Sequence, residues 1–208
     1  MIRYLALFLL ALAMAGCGPI IDLGNKSSDR IYSVQYPDEI SELPSETSTV
    51  FVDEFTFSAG LDGESIVVRM PSGEQLEMSG VAWAGHPADM IRDYMVSAVR
   101  ARGNMRAYGE GSLDIQVGCR LGVRLVDYQL RSPDVQTETD FGQVQIKMEM
   151  VLIQLKTGMI ISEFTVSENV DVNEVGSDSI IQSFMNATYT VSHRAAIKLK
   201  SVSQQCSL

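Results

Sequence analysis

The chain has 208 residues and carries 26 Asp and Glu against 16 Lys and Arg, a formal charge of −10. So acidic a chain argues against nucleic-acid binding, and against attachment to anionic lipid through a basic patch. Its apolar fraction of 46% fits a folded globule rather than a disordered stalk.

Met1-Ile2-Arg3 sets one positive charge ahead of an apolar run from Tyr4 to Ala15. That run is well short of the about 20 residues a membrane-crossing helix needs. A basic start, an apolar stretch and small residues at its close describe a secretory signal. Ala15-Gly16-Cys17 resembles the bacterial lipobox, with Met14 where that pattern prefers Leu. The resemblance implies cleavage between Gly16 and Cys17, with diacylglycerol on the Cys17 sulfur and N-acylation of the new terminus. Two or more acyl chains, at about 0.8 kcal/mol per buried methylene, anchor stably where one chain holds only marginally. Loss of residues 1–16 removes Arg3 and no acid, so the charge moves to −11. About 190 residues remain, enough for one domain. The expected organisation is a lipoprotein signal peptide at 1–16, a lipidated tether at 17–29, one domain at 30–201 and a tail at 202–208.

Within the domain, Ile31–Tyr36 alternates as a first strand, stopped at Pro37-Asp38, and Glu39–Ser48 has the composition of a loop. Thr49–Phe57, Ser65–Met70 and Gln75–Trp83 follow as strands, the last two joined into a hairpin by Pro71-Ser72-Gly73. From His86 to Gly103 the period changes. Met90, Ile91, Tyr94, Met95, Ala98 and Val99 share one helical face, punctuated by Pro87 and Gly103. Gln116–Leu130 alternates and then shifts phase at Val126, which predicts a bulge or a strand buried on both faces. Gly142–Leu155 and Met159–Glu168 form a second hairpin around Thr157-Gly158, with Ile160, Ser162, Phe164 and Val166 on one face. A final helix runs from a cap at Ser177 or Asp178 to Lys200, with Lys198 and Lys200 at its favourable end. The fold class is α+β: one domain, a mainly antiparallel sheet with two helices covering a face.

Little in the chain points to catalysis. His86 and His193 stand alone in their segments, without the second ligand a zinc site needs. There is no GxSxG elbow and no P-loop, and Gly109-Glu110-Gly111 meets Asp114 where a dinucleotide motif needs a third glycine. Asp53, Glu54, Asp171 and Glu174 are scattered over loops and strand faces rather than paired for acid–base work. Met90, Met95, Met148 and Met150 lie on core stripes, so core filling is preferred over a Met-rich binding surface. No enzyme activity, cofactor or metal is expected. Past Cys17 the thiols are Cys119, placed in a strand as a small buried hydrophobe, and Cys206, placed in a frayed polar tail. A periplasmic location permits a disulfide between them, but two separate thiols is the preferred expectation.

Tyr32, Gly60-Leu61-Asp62, Ile66, Arg69, Trp83, Pro87 and Met90, with the strand pair VQIKMEMVLIQL and GMIISEFTVSENV before a last helix, form an ordered pattern over roughly residues 30–200. This pattern resembles the ABC-type transport auxiliary lipoproteins, the PqiC-like family. Ser33 and Val34 match the family's first strand loosely, and Gly85-His86 interrupts its usual acidic stretch after the Trp. The resemblance implies a non-catalytic component of an MCE/ABC-type intermembrane lipid transport system, held at the outer membrane, facing the periplasm and docking on the MCE-domain protein. It also allows a homo-oligomeric ring. Gly18 stands where inner-membrane lipoproteins commonly carry Asp, in keeping with the outer membrane. The alternative is a structural or assembly lipoprotein, a chaperone or pilot for another outer-membrane complex. The surfaces to inspect first are the Gly60-Leu61-Asp62 loop and the turn from Trp83 to Pro87, though Trp83 also fits a core-capping aromatic.

Overall fold

Three long strands form the spine of the molecule: β7 (Cys119–Arg131), β8 (Gln143–Gln154) and β9 (Met159–Asp171). Each is antiparallel to the next over almost its whole length. Strict alternation buries Val144, Ile146, Met148, Met150 and Leu152 on one face of β8, and Cys119, Leu121, Val123 and Leu125 on the same face of β7. The phase shift in the sequence is a bulge. Leu125 pairs with Met148 and Asp127 with Lys147, so Val126 is the extra residue, and Tyr128 returns to the buried face beside Leu125. The computed structural model describes residues 29–37, 47–58, 60–61, 63–109, 115–133, 141–174 and 176–208. Gly16, Cys17 and the cleavage site, most of the tether and most of the Glu39–Ser48 loop therefore lie outside the described residues.

The earlier strands line the other edge of β7. They are β1 (Arg30–Tyr32), β2 (Thr49–Val52), β3 (Thr56–Phe57), β4 (Ser65–Arg69), β5 (Gln75–Trp83) and β6 (Arg106–Tyr108). β2, β3 and β4 each pair parallel with β7, at successive points along it. β5 is antiparallel to β4, while β1 adds parallel to β5 and β6 parallel to β2. The sheet is thus mixed, with its long members antiparallel.

Two helices cover one face: α1 (Pro87–Arg102) and α2 (Ser177–Lys200). α1 keeps its expected bounds, with His86 at the N-cap and Gly103 at the C-cap. α2 folds back along β9. Ser183 Oγ donates to the Asp171 carbonyl, Arg194 Nη1 to the Ser167 carbonyl, and the Lys198 ammonium sits 5.0 Å from the Phe164 ring centroid. Between helices and sheet, Trp83, Tyr128 and Phe184 pack ring to ring at 4.9–5.6 Å between centroids. Ile91, Met95, Leu199 and Ala195 close the core around them.

Several sequence expectations change in the structure. The predicted strand Thr49–Phe57 is two strands, because Phe55 turns into the core while Arg120 Nε clasps the Asp53 carboxylate at 2.6 Å. Three residues on this side lie opposite two on β7, between the Val52–Leu121 pair and the Thr56–Arg124 pair. The first strand ends at Tyr32 rather than Tyr36, because Val34 leaves the sheet to be buried and the Tyr36 hydroxyl reaches His193 Nε2 at 2.8 Å. α2 is not capped by Ser177 or Asp178. Gly176 takes the N-cap, and Asp178 instead accepts hydrogen bonds from Arg30 and from the Tyr32 hydroxyl. Ile160 does not share a face with Phe164 and Val166. A register shift between Leu152 and Ile153 pairs Ile160 with Ile153 on the opposite face, leaving Ile160 58% exposed.

Candidate functional site

Cys119 and Cys206 form a disulfide, with Cα atoms 5.0 Å apart and both residues fully buried. This corrects the expectation of two separate thiols and of a frayed tail. The tail is a 3-10 turn, Ser203–Cys206, laid against the start of β7 and extended by a bridge between Ser48 and Ser207. The fit requires glycine at 118, since a Cβ there would overlap the Cys206 carbonyl. The Gly118 amide donates to Thr49 Oγ1 at 2.7 Å, and Gln154 Nε2 donates to the Gln205 carbonyl at 2.7 Å. Sequence spacing carried no signal for this pairing. The bridged residues are 87 positions apart, and only the strand order brings them together.

Beside the tail stands the turn between β8 and β9. The Gly158 amide donates to the Gln154 carbonyl at 2.8 Å, and Thr157 Oγ1 donates to Gln154 Oε1 at 2.8 Å. The Leu155 amide donates to the Gly118 carbonyl at 2.9 Å, which fastens the turn to the start of β7. Gly158 adopts a φ of 71°, the left-handed geometry a tight turn asks for. The turn thereby holds Leu155, Met159 and Ile160 in solvent, at 46, 63 and 58% exposure.

The opposite end of the spine holds Arg131, Gln143 and Asp171. The chain enters the sheet from that side, because β1 runs antiparallel to β7. There Arg30 and Tyr32 bind Asp178 at 2.7 and 2.6 Å in the open. Hydrogen bonds from Tyr32 and then Arg30 hold the Asp178 carboxyl below the usual carboxylate range.

The surfaces marked for first inspection are divided: Gly60, Ala84 and His86 are exposed, and their large apolar side chains point inward. Leu61 is buried, and Trp83 is buried in the ring cluster as a core aromatic. Asp62 lies outside the described residues, as do Glu110, Gly111 and Asp114. His86 starts α1, and His193 lies on α2 with its ring 3.9 Å from that of Tyr189 between centroids. Met95, Met148 and Met150 fill the core, and Met90 packs against it partly buried. Burial pushes the Tyr128 hydroxyl well above its ordinary range, so it stays protonated within the ring cluster.

The sheet face without helices carries an open hollow of about 830 Å³ around Gly122, lined by Asp53, Glu54, Glu149, Glu163 and Arg124. Arg124 pairs with Glu149 at 3.5 Å, and Asp53 with Arg120. Two ion pairs with Glu54 and Glu163 exposed beside them make an arrangement of a solvated sheet face. Among the described residues no cluster of three or more metal-ligating side chains occurs, and no helix is long and apolar enough to cross a membrane.

Comparison with known proteins gives the fold a context. No family model matches the sequence, and no curated protein matches it. Among solved structures the chain is similar to protein XCC0632 from Xanthomonas campestris, of family DUF330. Identity is 17% and the TM-score 0.69, covering 85% of this chain and 98% of that one. A second, uncharacterized protein gives a TM-score of 0.65 at 14% identity, covering 83% of this chain and 99% of that one. The shared feature is the architecture: one α+β domain with two helices on a mixed sheet.

Proposed function

We propose that the protein is a non-catalytic lipoprotein of an MCE/ABC-type intermembrane lipid transport system, anchored through Cys17 at the outer membrane and docking on the periplasmic MCE-domain protein. The observation that carries its export is the buried Cys119–Cys206 disulfide. Such a bond forms and persists outside the reducing cytosol, in the compartment to which a lipobox directs a chain. The ordered pattern from Tyr32 to the last helix supports the transport role, and the architecture shared with the DUF330 structure is compatible with it. A ring of copies belongs to the same reading.

Two measurements test it. The detergent-solubilised lipoprotein should recover an MCE-domain protein from its own cells, and recovery of secretion or porin-assembly components instead would favour the assembly alternative. Cys17→Ser should leave an uncleaved or soluble product, and unchanged membrane fractionation would refute the anchor.

A further inference from the structure

The exposed aliphatic side chains at the β8–β9 turn are the product of specific local devices. Continued alternation along β9 would put Ile160 under α2 with Phe164 and Val166, but the register shift turns it out to solvent next to Met159. Bulges that re-aim side chains in this way concentrate at functional sites. The turn is also rigid. It is hydrogen-bonded internally through Gln154 and Thr157, tied to Gly118, and braced by a tail held covalently to β7. A turn whose backbone is already fixed needs no further backbone ordering when a partner covers it.

Charge is unevenly placed across this end of the sheet, from the turn to the β6 edge where Arg102 lies. Both helices run toward the Cys119 end, so their C-terminal turns bring Arg102, Lys198 and Lys200 there, and Lys156 stands on the turn itself; all four are exposed. Among the described residues, the turn, the tail and the last turns of the two helices contain no acidic side chain. In a chain of charge −10 this end is locally cationic with an aliphatic centre.

We propose that the tip of the β8–β9 turn, with the tail beside it, is the surface on which the domain receives its protein partner, and that the partner presents an apolar patch rimmed by carboxylates. The inference rests on the anchored reading given above. Eleven residues separate Cys17 from Asp29, and they join the domain at the end opposite the tip. Fully stretched they reach about 40 Å, while β9 alone, at about 3.3 Å per residue, is about 43 Å long. A chain that enters from the Arg131 side and runs toward the tip leaves the tip free to face away from the anchoring membrane, toward whatever approaches through the periplasm. Its cations select an acidic partner and quicken its approach, and its aliphatic centre supplies the burial.

The test uses the full lipoprotein and recovery of the MCE-domain protein in detergent. Met159→Glu with Ile160→Glu should cut recovery at least tenfold, and Lys156→Glu severalfold. Leu76→Glu, exposed near the opposite hairpin, should leave it unchanged. All these side chains are in solvent, so thermal unfolding should match the unsubstituted protein. Full recovery with the double variant would overturn the docking surface while leaving the transport reading intact. No recovery with the unsubstituted protein would overturn the transport reading, and the docking surface with it. Two further results would also overturn the proposal. One is a Cys17→Ser protein that sediments with phosphatidylglycerol vesicles through Met159, which would make the tip a membrane contact. The other is a double variant that loses self-association in light scattering, which would make it a contact between copies.

Discussion

The two ends of the sheet are held by different physics. At the entry end, Arg30 and Tyr32 clasp Asp178 in full contact with water, where an ion pair is screened and contributes little. At the other end a buried disulfide, the Gln154 hydrogen bond to the Gln205 carbonyl and the Ser48–Ser207 bridge fasten the tail to β7, to the β8 terminus and to the residue before β2. The contrast shows which end can yield. The entry end is the one whose contacts open at little cost, and the tail end is the platform for the exposed tip.

The largest effect should come from cutting the platform. Cys206→Ser opens an 87-residue closure, and loss of a native disulfide typically costs about 2–5 kcal/mol. Calorimetry of the Cys206→Ser protein should show this as a clear fall in melting temperature. A change within error would mean that the bond adds nothing to the tail's packing. Next is Gly118→Ala, which pushes a methyl group into the Cys206 carbonyl. Overpacking of this kind costs about 1–3 kcal/mol, measurable by denaturant titration at unchanged m-value.

Smaller effects belong to the entry end. Amides of Arg30–Tyr32 should exchange with deuterium before those of Arg120–Leu125, because β1 is a short, exposed edge strand. Equal protection at both would erase the distinction between the two ends. Asp178→Asn should give the smallest change, and one that depends on pH. The folded carboxyl has a depressed pKa, so its contribution is present above the unfolded value of about 4 and fades as pH falls through the folded one. The gap in melting temperature between Asp178→Asn and the unsubstituted protein should therefore close in acid.

How far the fold was legible depended on whether the signal was local. The Val126 phase shift became a bulge because a strand with one buried face must restore its alternation after an extra residue. Pro71-Ser72-Gly73 and Thr157-Gly158 marked their hairpins through turn chemistry alone, and Pro87 and Gly103 bracketed α1. β6 was missed since three residues with only Ala107 buried make no period. The exposure of Ile160 was missed for a related reason. Its sequence alternates with Phe164, and only the pairing with Ile153 shows the slip.

By itself, the sequence determined the order and type of most elements, the apolar stripes of both helices and the alternation of the long strands. Each of these depends on neighbours a few residues apart. The disulfide, the parallel placement of β2, β3 and β4 along β7, and the gathering of cations and aliphatic side chains at one end were decided only in three dimensions. They join residues tens of positions apart, and their free energy exists only once the sheet has chosen its strand order.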